Sequence, residues 1–231
     1  MNISRISCLS FDCYGTLIDW EAGLLEALRP LLEHHGVHAS DSRLLEAFAE
    51  AETAAEAGPY RSYKENLREV LRALGVVFRF QPSVAEEAAF AQSVKDWPAF
   101  DDSVEALRAL QARYRLIILS NIDDDLFRYS QVRLGVEFHR VFTAQQIGSY
   151  KPAENNFRFL LEHAGVERDE ILHVAQSLYH DIGPAGRLGI STVWVNRRQG
   201  QAGSGATPAA AARPDLELPD LTTLVELLSR K

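Results

Sequence analysis

From Pro98 onward, short apolar runs alternate with stretches of helical spacing, and that alternation restricts the chain to few folds. Helical spacing covers 104–113, 126–134, 155–164 and 182–188. Apolar runs of strand length cover 116–119, 140–143, 171–175 and 192–195. Strands alternating with helices of this length build βαβ units and therefore a parallel sheet. An earlier apolar run (Ile6, Cys8, Leu9, Phe11) ends at Asp12, and Gly15-Thr16 then turns the chain. In an open α/β sheet ligands bind beyond the carboxyl ends of the strands, so Asp12 stands where a nucleophile is useful. Taken alone, the same residue reads equally well as a turn cap.

Between Asp19 and Trp97 the pattern is helical throughout. Leu24, Leu25, Leu28, Leu31 and Leu32 recur at helical spacing up to Gly36. Asp41–Glu56 carries a stripe of Leu44, Leu45 and Phe48, and Gly58-Pro59 breaks it. Tyr60–Leu74 places Tyr63, Leu67, Val70, Leu71 and Leu74 on one face, with Gly75 as its stop. Ser83–Trp97 opens on a Ser83/Glu86 capping box. The expectation is an α/β protein: a Rossmann-like parallel sheet with helices on both faces, formed by 1–17 and 98–231, with an all-helical cap inserted over 18–97. Gln199–Ala212, rich in Gly, Ala and Ser, reads as a flexible loop before a last helix over 221–228.

Bulk properties remove several function classes. A formal net charge of −8 over 231 residues gives no footing for nucleic-acid binding. No stretch approaches the roughly 20 apolar residues of a membrane span. Cys8 and Cys13 share one strand region, so no disulfide framework is expected. The N-terminus lacks a secretory pattern, and a cytoplasmic location is the default expectation.

Four polar points fall at predicted strand ends: Phe-Asp-Cys-Tyr-Gly-Thr-Leu around Asp12, Leu-Ser-Asn around Ser120 and Asn121, Tyr-Lys-Pro around Lys151, and Ala-Gln-Ser-Leu-Tyr-His-Asp from Ala175 to Asp181. Their order resembles the haloacid dehalogenase-like hydrolase superfamily over essentially the whole chain. That resemblance implies a mobile cap over a Rossmann-like core and a covalent intermediate on the first aspartate, here Asp12. A carboxylate nucleophile must be ionised, and a nearby cation favours that state. Lys151 is the candidate cation. Ser120 and Asn121 offer donors to an anionic group, and Thr16 belongs to the same substrate-binding set.

The pattern departs from the magnesium-dependent phosphatases of the superfamily at two positions. Tyr14 stands where they carry a general-acid aspartate, and Gln176 where they carry a metal-ligand aspartate. Magnesium is normally held by carboxylates and water, so no cofactor is expected, with magnesium retained only for a phosphatase alternative. The Asp-x-Tyr-Gly-Thr form instead resembles the metal-free L-2-haloacid dehalogenase branch, closest within the superfamily. There the leaving halide needs no proton, and Asp181 is the candidate to position the hydrolytic water. Asp181 could also cap the helix that follows it.

The resemblance to that branch is incomplete. Its cap arginine has no counterpart over 45–54, leaving Arg61 or Arg68 as candidates from the next helix. Its tyrosine after the lysine motif is Phe157, and its Ser-x-Asn pair is Gln176 and Leu178. Ser177 and His180 complete the expected substrate contacts. The expected partner is a small anionic molecule, and a homodimer is left open. A binding protein on the same scaffold is a third reading, against which the intact Asp12, Thr16, Ser120 and Lys151 stand.

Overall fold

The computed structural model describes residues 2–201, 203 and 205–229. Its strands are β1 (Cys8–Phe11), β2 (Arg115–Ser120), β3 (Arg140–Thr143), β4 (Ile171–Ala175), β5 (Ser191–Val195) and β6 (Leu216–Leu218). They form one sheet in the order β3-β2-β1-β4-β5-β6, parallel throughout. The chain moves outward from β1 to β3 and then returns to place β4 on the other side of β1. That reversal is the position at which an open sheet leaves a crevice beyond its strand ends.

The insertion after β1 contains α1 (Trp20–His34), α2 (Asp41–Glu56), α3 (Tyr63–Phe78) and α4 (Val84–Gln92). The core helices are α5 (Ser103–Gln111), α6 (Asp124–Leu134), α7 (Ala144–Ile147), α8 (Glu154–His163), α9 (Gly183–Arg187) and α10 (Leu221–Ser229). Alternate strand residues feed two apolar layers. Leu9, Phe11, Leu116, Ile118, Leu172 and Val174 pack on one face with α5 and α10. Cys8, Ile117, Leu119 and Ile171 pack on the other with Phe157 and Leu160 of α8. Period-two alternation of this kind is what a sheet buried on both faces requires. Among the described residues no helix is long and apolar enough to cross a membrane.

The chain leaves and re-enters the core side by side, with Ile18 bridging Ala99 and the Asp19 amide donating to the Pro98 carbonyl at 2.8 Å. The insertion is also tied to the core at the start of α3. Asp123 accepts from the amides of Tyr63 (2.8 Å) and Lys64 (3.1 Å), and the Tyr150 hydroxyl donates to the Arg61 carbonyl (2.8 Å).

Several boundaries differ from the sequence expectation. Gly75 does not end α3; the helix runs one turn further and stops at Arg79, whose backbone is left-handed (φ 62°). Gly75 is needed for close approach instead, because a Cβ there would meet the Phe80 carbonyl at 2.6 Å. The helix expected over 83–97 tightens into a 3-10 turn at Ser93–Asp96. The three-residue β6 and the four-residue α7 carry too little periodicity to be read from sequence. The loop after Gln199 is not free over its whole length. Ala206 and Thr207 are buried, and the Ala206 amide donates to Glu21, which also pairs with Arg198. Ala202 and Ser204 of that loop, with Met1, Arg230 and Lys231, lie outside the described residues.

Candidate active site

Asp12 follows β1 directly and is buried, the residue being 6% exposed. Its Oδ1 accepts from Lys151 Nζ at 2.8 Å, and its Oδ2 from the Thr16 hydroxyl at 2.7 Å. Gly15, at φ 92°, makes the turn that returns Thr16 to this carboxylate. The Thr16 oxygen in turn accepts from the Gln176 amide at 2.9 Å, which ties the ends of β1 and β4 together.

Lys151 is buried, and its ammonium has three acceptors: Asp12 Oδ1, Asp181 Oδ1 at 2.7 Å and the Leu119 carbonyl at 2.9 Å. Its three N–H groups are thereby matched. Asn121 holds the segment carrying it, accepting from the Lys151 amide at 2.7 Å and donating to the Lys151 carbonyl at 3.0 Å. Asp181 Oδ1 also meets His173 Nε2 at 2.9 Å, and the other ring nitrogen of His173 faces the Ser10 hydroxyl at 3.1 Å. Ser10 and His173 are register partners across β1 and β4.

The charges in this cluster are set by burial and by Lys151. Burial pushes the Asp12 carboxyl above the usual carboxylate range against the pull of Lys151. Burial opposes ionisation of Asp181 too, but Lys151 and His173 outweigh it and hold this carboxyl below that range. Burial works against the Lys151 ammonium, yet Asp12 and Asp181 raise it above its ordinary value. The contrast between the two carboxyls gives a more basic group at Asp12 and a firmly ionised one at Asp181.

A cavity of about 40 Å³ opens over these groups, lined from the core by Asp12, Tyr14, Ser120, Asn121, Lys151 and Asp181. Gln176, Ser177 and His180 line it as well, so nine of the residues expected from sequence converge on it. Two buried atoms at its wall have no partner among the described residues, Ser120 Oγ and Asp181 Oδ2. Burial lowers His180 to about 4, so its ring is neutral near pH 7.

Other expectations are corrected. Thr16 does not line the cavity; it holds Asp12 and Gln176 from behind. Arg61 is exposed, and its guanidinium donates to the Ala55 carbonyl, away from the cavity. Arg68 is exposed too. Asp181 does not cap the helix that follows it: α9 has Ile182 at its N-cap position and no side-chain cap, while Ser177 caps the turn before it, accepting from the His180 amide at 2.8 Å. Tyr14 lines the cavity, while its hydroxyl pairs with Ser130 at 2.9 Å.

The insertion supplies groups that the sequence reading passed over: Trp20, Glu52, Glu56 and Tyr63. Glu52 and Glu56 lie one turn apart on α2, with Glu52 accepting from the Tyr63 hydroxyl at 2.7 Å and Glu56 from Asn121 at 3.2 Å. The signal was present in the sequence, because Glu52 continues the Leu45–Phe48 stripe of an otherwise apolar helix face. As a donor set the site suits a divalent cation poorly. Asp12 and Asp181 are bridged by an ammonium, and Tyr14 and Gln176 are neutral. No group of three or more His, Cys, Asp or Glu among the described residues is arranged to hold a metal.

Residues 6–189 match the family of haloacid dehalogenase-like hydrolases. The chain is 24% identical over 209 residues to an (S)-2-haloacid dehalogenase 4A of Burkholderia cepacia, covering 85% of each. It is 32% identical over 174 residues to a phosphoserine phosphatase of Thermus thermophilus, covering 73% of this chain and 65% of that one. The L-2-haloacid dehalogenase structure from Xanthobacter autotrophicus superposes with a TM-score of 0.79 at 22% identity, over 97% of this chain and 98% of that chain. With the matched span running from the strand that delivers Asp12 to the helix beyond Asp181, the chain belongs to the haloacid dehalogenase-like hydrolases.

Proposed function

We propose that the protein hydrolyses the carbon–halogen bond of a small 2-halo carboxylic acid through an ester on Asp12, without a metal. Residues 1–17 and 98–231 form the catalytic core, and 18–97 form a cap over the strand ends. One observation carries this reading: the Lys151 ammonium bridges Asp12 and Asp181, at 2.8 and 2.7 Å, and so takes the place a divalent cation would need between them. The neutral Tyr14 and Gln176 remove the further anionic oxygens that would let such an ion compete with its own hydration.

The chemistry runs in two steps. An Asp12 carboxylate oxygen attacks the carbon, the carbon–halogen bond breaks, and the halide leaves with the bonding pair. A halide needs no proton, which suits a site whose general-acid position is Tyr14 with its hydroxyl engaged on Ser130. Water then attacks the Asp12 carboxyl carbon and releases the hydroxy acid. Asp181 positions that water through Oδ2, the oxygen left open when Lys151 and His173 occupy Oδ1. The unpartnered Ser120 hydroxyl donates to the substrate carboxylate. A cavity of about 40 Å³ restricts the reacting end to a few heavy atoms.

The test is halide release from a panel of 2-halo acids in EDTA, run beside phosphate esters with and without magnesium. Halide release that survives chelation is the expected result. Phosphate release that requires magnesium, with no halide release, would replace this reading by that of a phosphatase.

A further inference from the structure

The cap wall of the cavity has no use in the two steps above, and its chemistry is unusual for a site taking an anion. Glu52 is 5% exposed and Glu56 is half-buried, and both line the same small space as Asp12. Among the described residues neither carboxyl has an ion-pair partner; their hydrogen-bond donors are the neutral Tyr63 hydroxyl and the neutral Asn121 amide. No arginine among the described residues lines this space. Two adjacent anions left in this space would repel each other and any carboxylate or halide entering it. Ser120 Oγ is buried in the same cavity and has no partner among the described residues, so its hydroxyl is open to donate to an anion there, while the equally unpartnered Asp181 Oδ2 is kept for the hydrolytic water.

We infer that Glu56, backed by Glu52, holds a proton in the cap wall and donates it as a hydrogen bond to the departing halide, doing with a neutral acid what a cap cation would do. The inference rests on the dehalogenase reading and names the group that meets the leaving atom. In the displacement step Asp12 oxygen bonds to carbon, the carbon–halogen bond breaks, and the halide accepts from the Glu56 carboxyl O–H. The proton stays on Glu56, because halide is too weak a base to take it. Glu56 is also the boundary between this cavity and an outer cleft of about 380 Å³, which it shares with Lys151 and His180. A proton on Glu56 can therefore exchange with solvent, and a halide has a way out past it.

The surroundings agree with a protonated pair. Burial and the neighbouring Glu52 push Glu56 well above the usual carboxylate range, against Lys151 and Asn121. Burial pushes Glu52 to about 7, against its bond from Tyr63. Facing them from the core are Asp12 and Asp181, which are paired with Lys151, and His180, which is neutral. Tyr60 and Tyr150 border the outer cleft, and burial keeps both hydroxyls protonated. The two glutamates titrate as a coupled pair.

Two readouts test this, and neither needs turnover. Bromide binding is followed by bromide NMR line broadening at constant ionic strength across the pH range, and the glutamate carboxyl carbons are titrated by NMR. Wild-type bromide affinity should fall as pH rises through the Glu56 transition. Glu56→Gln keeps a donor and should bind bromide with a shallower fall, the remainder following Glu52 and Asp12, while Glu56→Ala should bind about tenfold more weakly at low pH, the size of one hydrogen bond to a charged group. Glu52→Gln should move the transition to lower pH, because the neighbouring charge is gone. Bromide binding in Glu56→Ala equal to wild type, or a Glu56 carboxyl that titrates in the ordinary range, overturns the inference. So does tight binding of ethylammonium in place of bromide, which would assign the pair to a cationic substrate. Absence of halide release from 2-halo acids, with these bromide and carboxyl results intact, would instead overturn only the choice of substrate.

Discussion

Replacing Lys151 by Met keeps the buried stem and removes the charge on which the site depends. At 2.8 and 2.7 Å, and with an effective dielectric of about 20, each carboxylate attracts the ammonium by about 6 kcal/mol. The full sum is not lost, because a stranded carboxyl can take up a proton. Protonating one carboxyl with an unfolded value near 4 costs about 4 kcal/mol at pH 7, at 1.36 kcal/mol per pH unit. Lys151→Met should therefore destabilise the fold by about 4 kcal/mol at pH 7, within the range for breaking a buried pair. The sign with pH follows. The carboxyls of the variant have folded values raised above their unfolded ones, so their stabilising contribution is present at low pH and lost as pH rises. The difference from wild type should shrink to about 1.4 kcal/mol at pH 5. Urea unfolding of both proteins between pH 5 and 8 measures it. A difference below about 1 kcal/mol at pH 7, or one flat with pH, would refute Lys151 as the counter-charge of two buried carboxylates.

Three further outcomes are expected. Asp12→Asn should fold normally and lose turnover by about four orders of magnitude or more, as removal of a nucleophile does; wild-type turnover should itself fall with decreasing pH at a value above the ordinary aspartate, since burial raises Asp12. Asp123→Ala removes two charge-assisted bonds to the start of α3 and should cost about 1–3 kcal/mol in urea unfolding, with KM rising more than kcat falls as the cap loosens. Tyr14→Asp combined with Gln176→Asp should create magnesium binding detectable by calorimetry, and unchanged affinity would show that these positions do not control metal choice.

The sheet was legible because its strands are apolar runs bounded by turn residues, and the strand-end carboxylates stood out as polar residues closing such runs. Asp12, Lys151 and Asp181 meet in the structure although 139 and 30 residues separate the bonded pairs, because parallel strands bring successive carboxyl ends to one edge. The cap wall was less legible. The resemblance directs attention to an arginine, whereas the groups that reach the cavity are Glu52 and Glu56; the register of Glu52 with Leu45 and Phe48 is readable in the sequence, but which cavity that face of α2 meets is not. His173 is hidden for a different reason. Inside a buried strand it reads as a core residue, and only its register with Ser10 and the turn that returns Asp181 make it a partner of the site. Arg61 has the charge and the place in the insertion that an anion contact needs, but its guanidinium donates back to the Ala55 carbonyl near the end of α2.

The central claim is that Asp12 attacks carbon and that its ester is opened by water at the carboxyl carbon. A single turnover of excess enzyme on 2-chloropropionate in heavy-oxygen water, with EDTA present, followed by mass analysis of the peptide containing Asp12, tests it directly. An alkyl ester opened in this way leaves one solvent oxygen in Asp12 and none in the first lactate released. An acyl phosphate opened at phosphorus, or direct attack of water on the substrate, leaves Asp12 unlabelled. Label in the Asp12 peptide is the predicted result, and labelled product with an unlabelled Asp12 would contradict it.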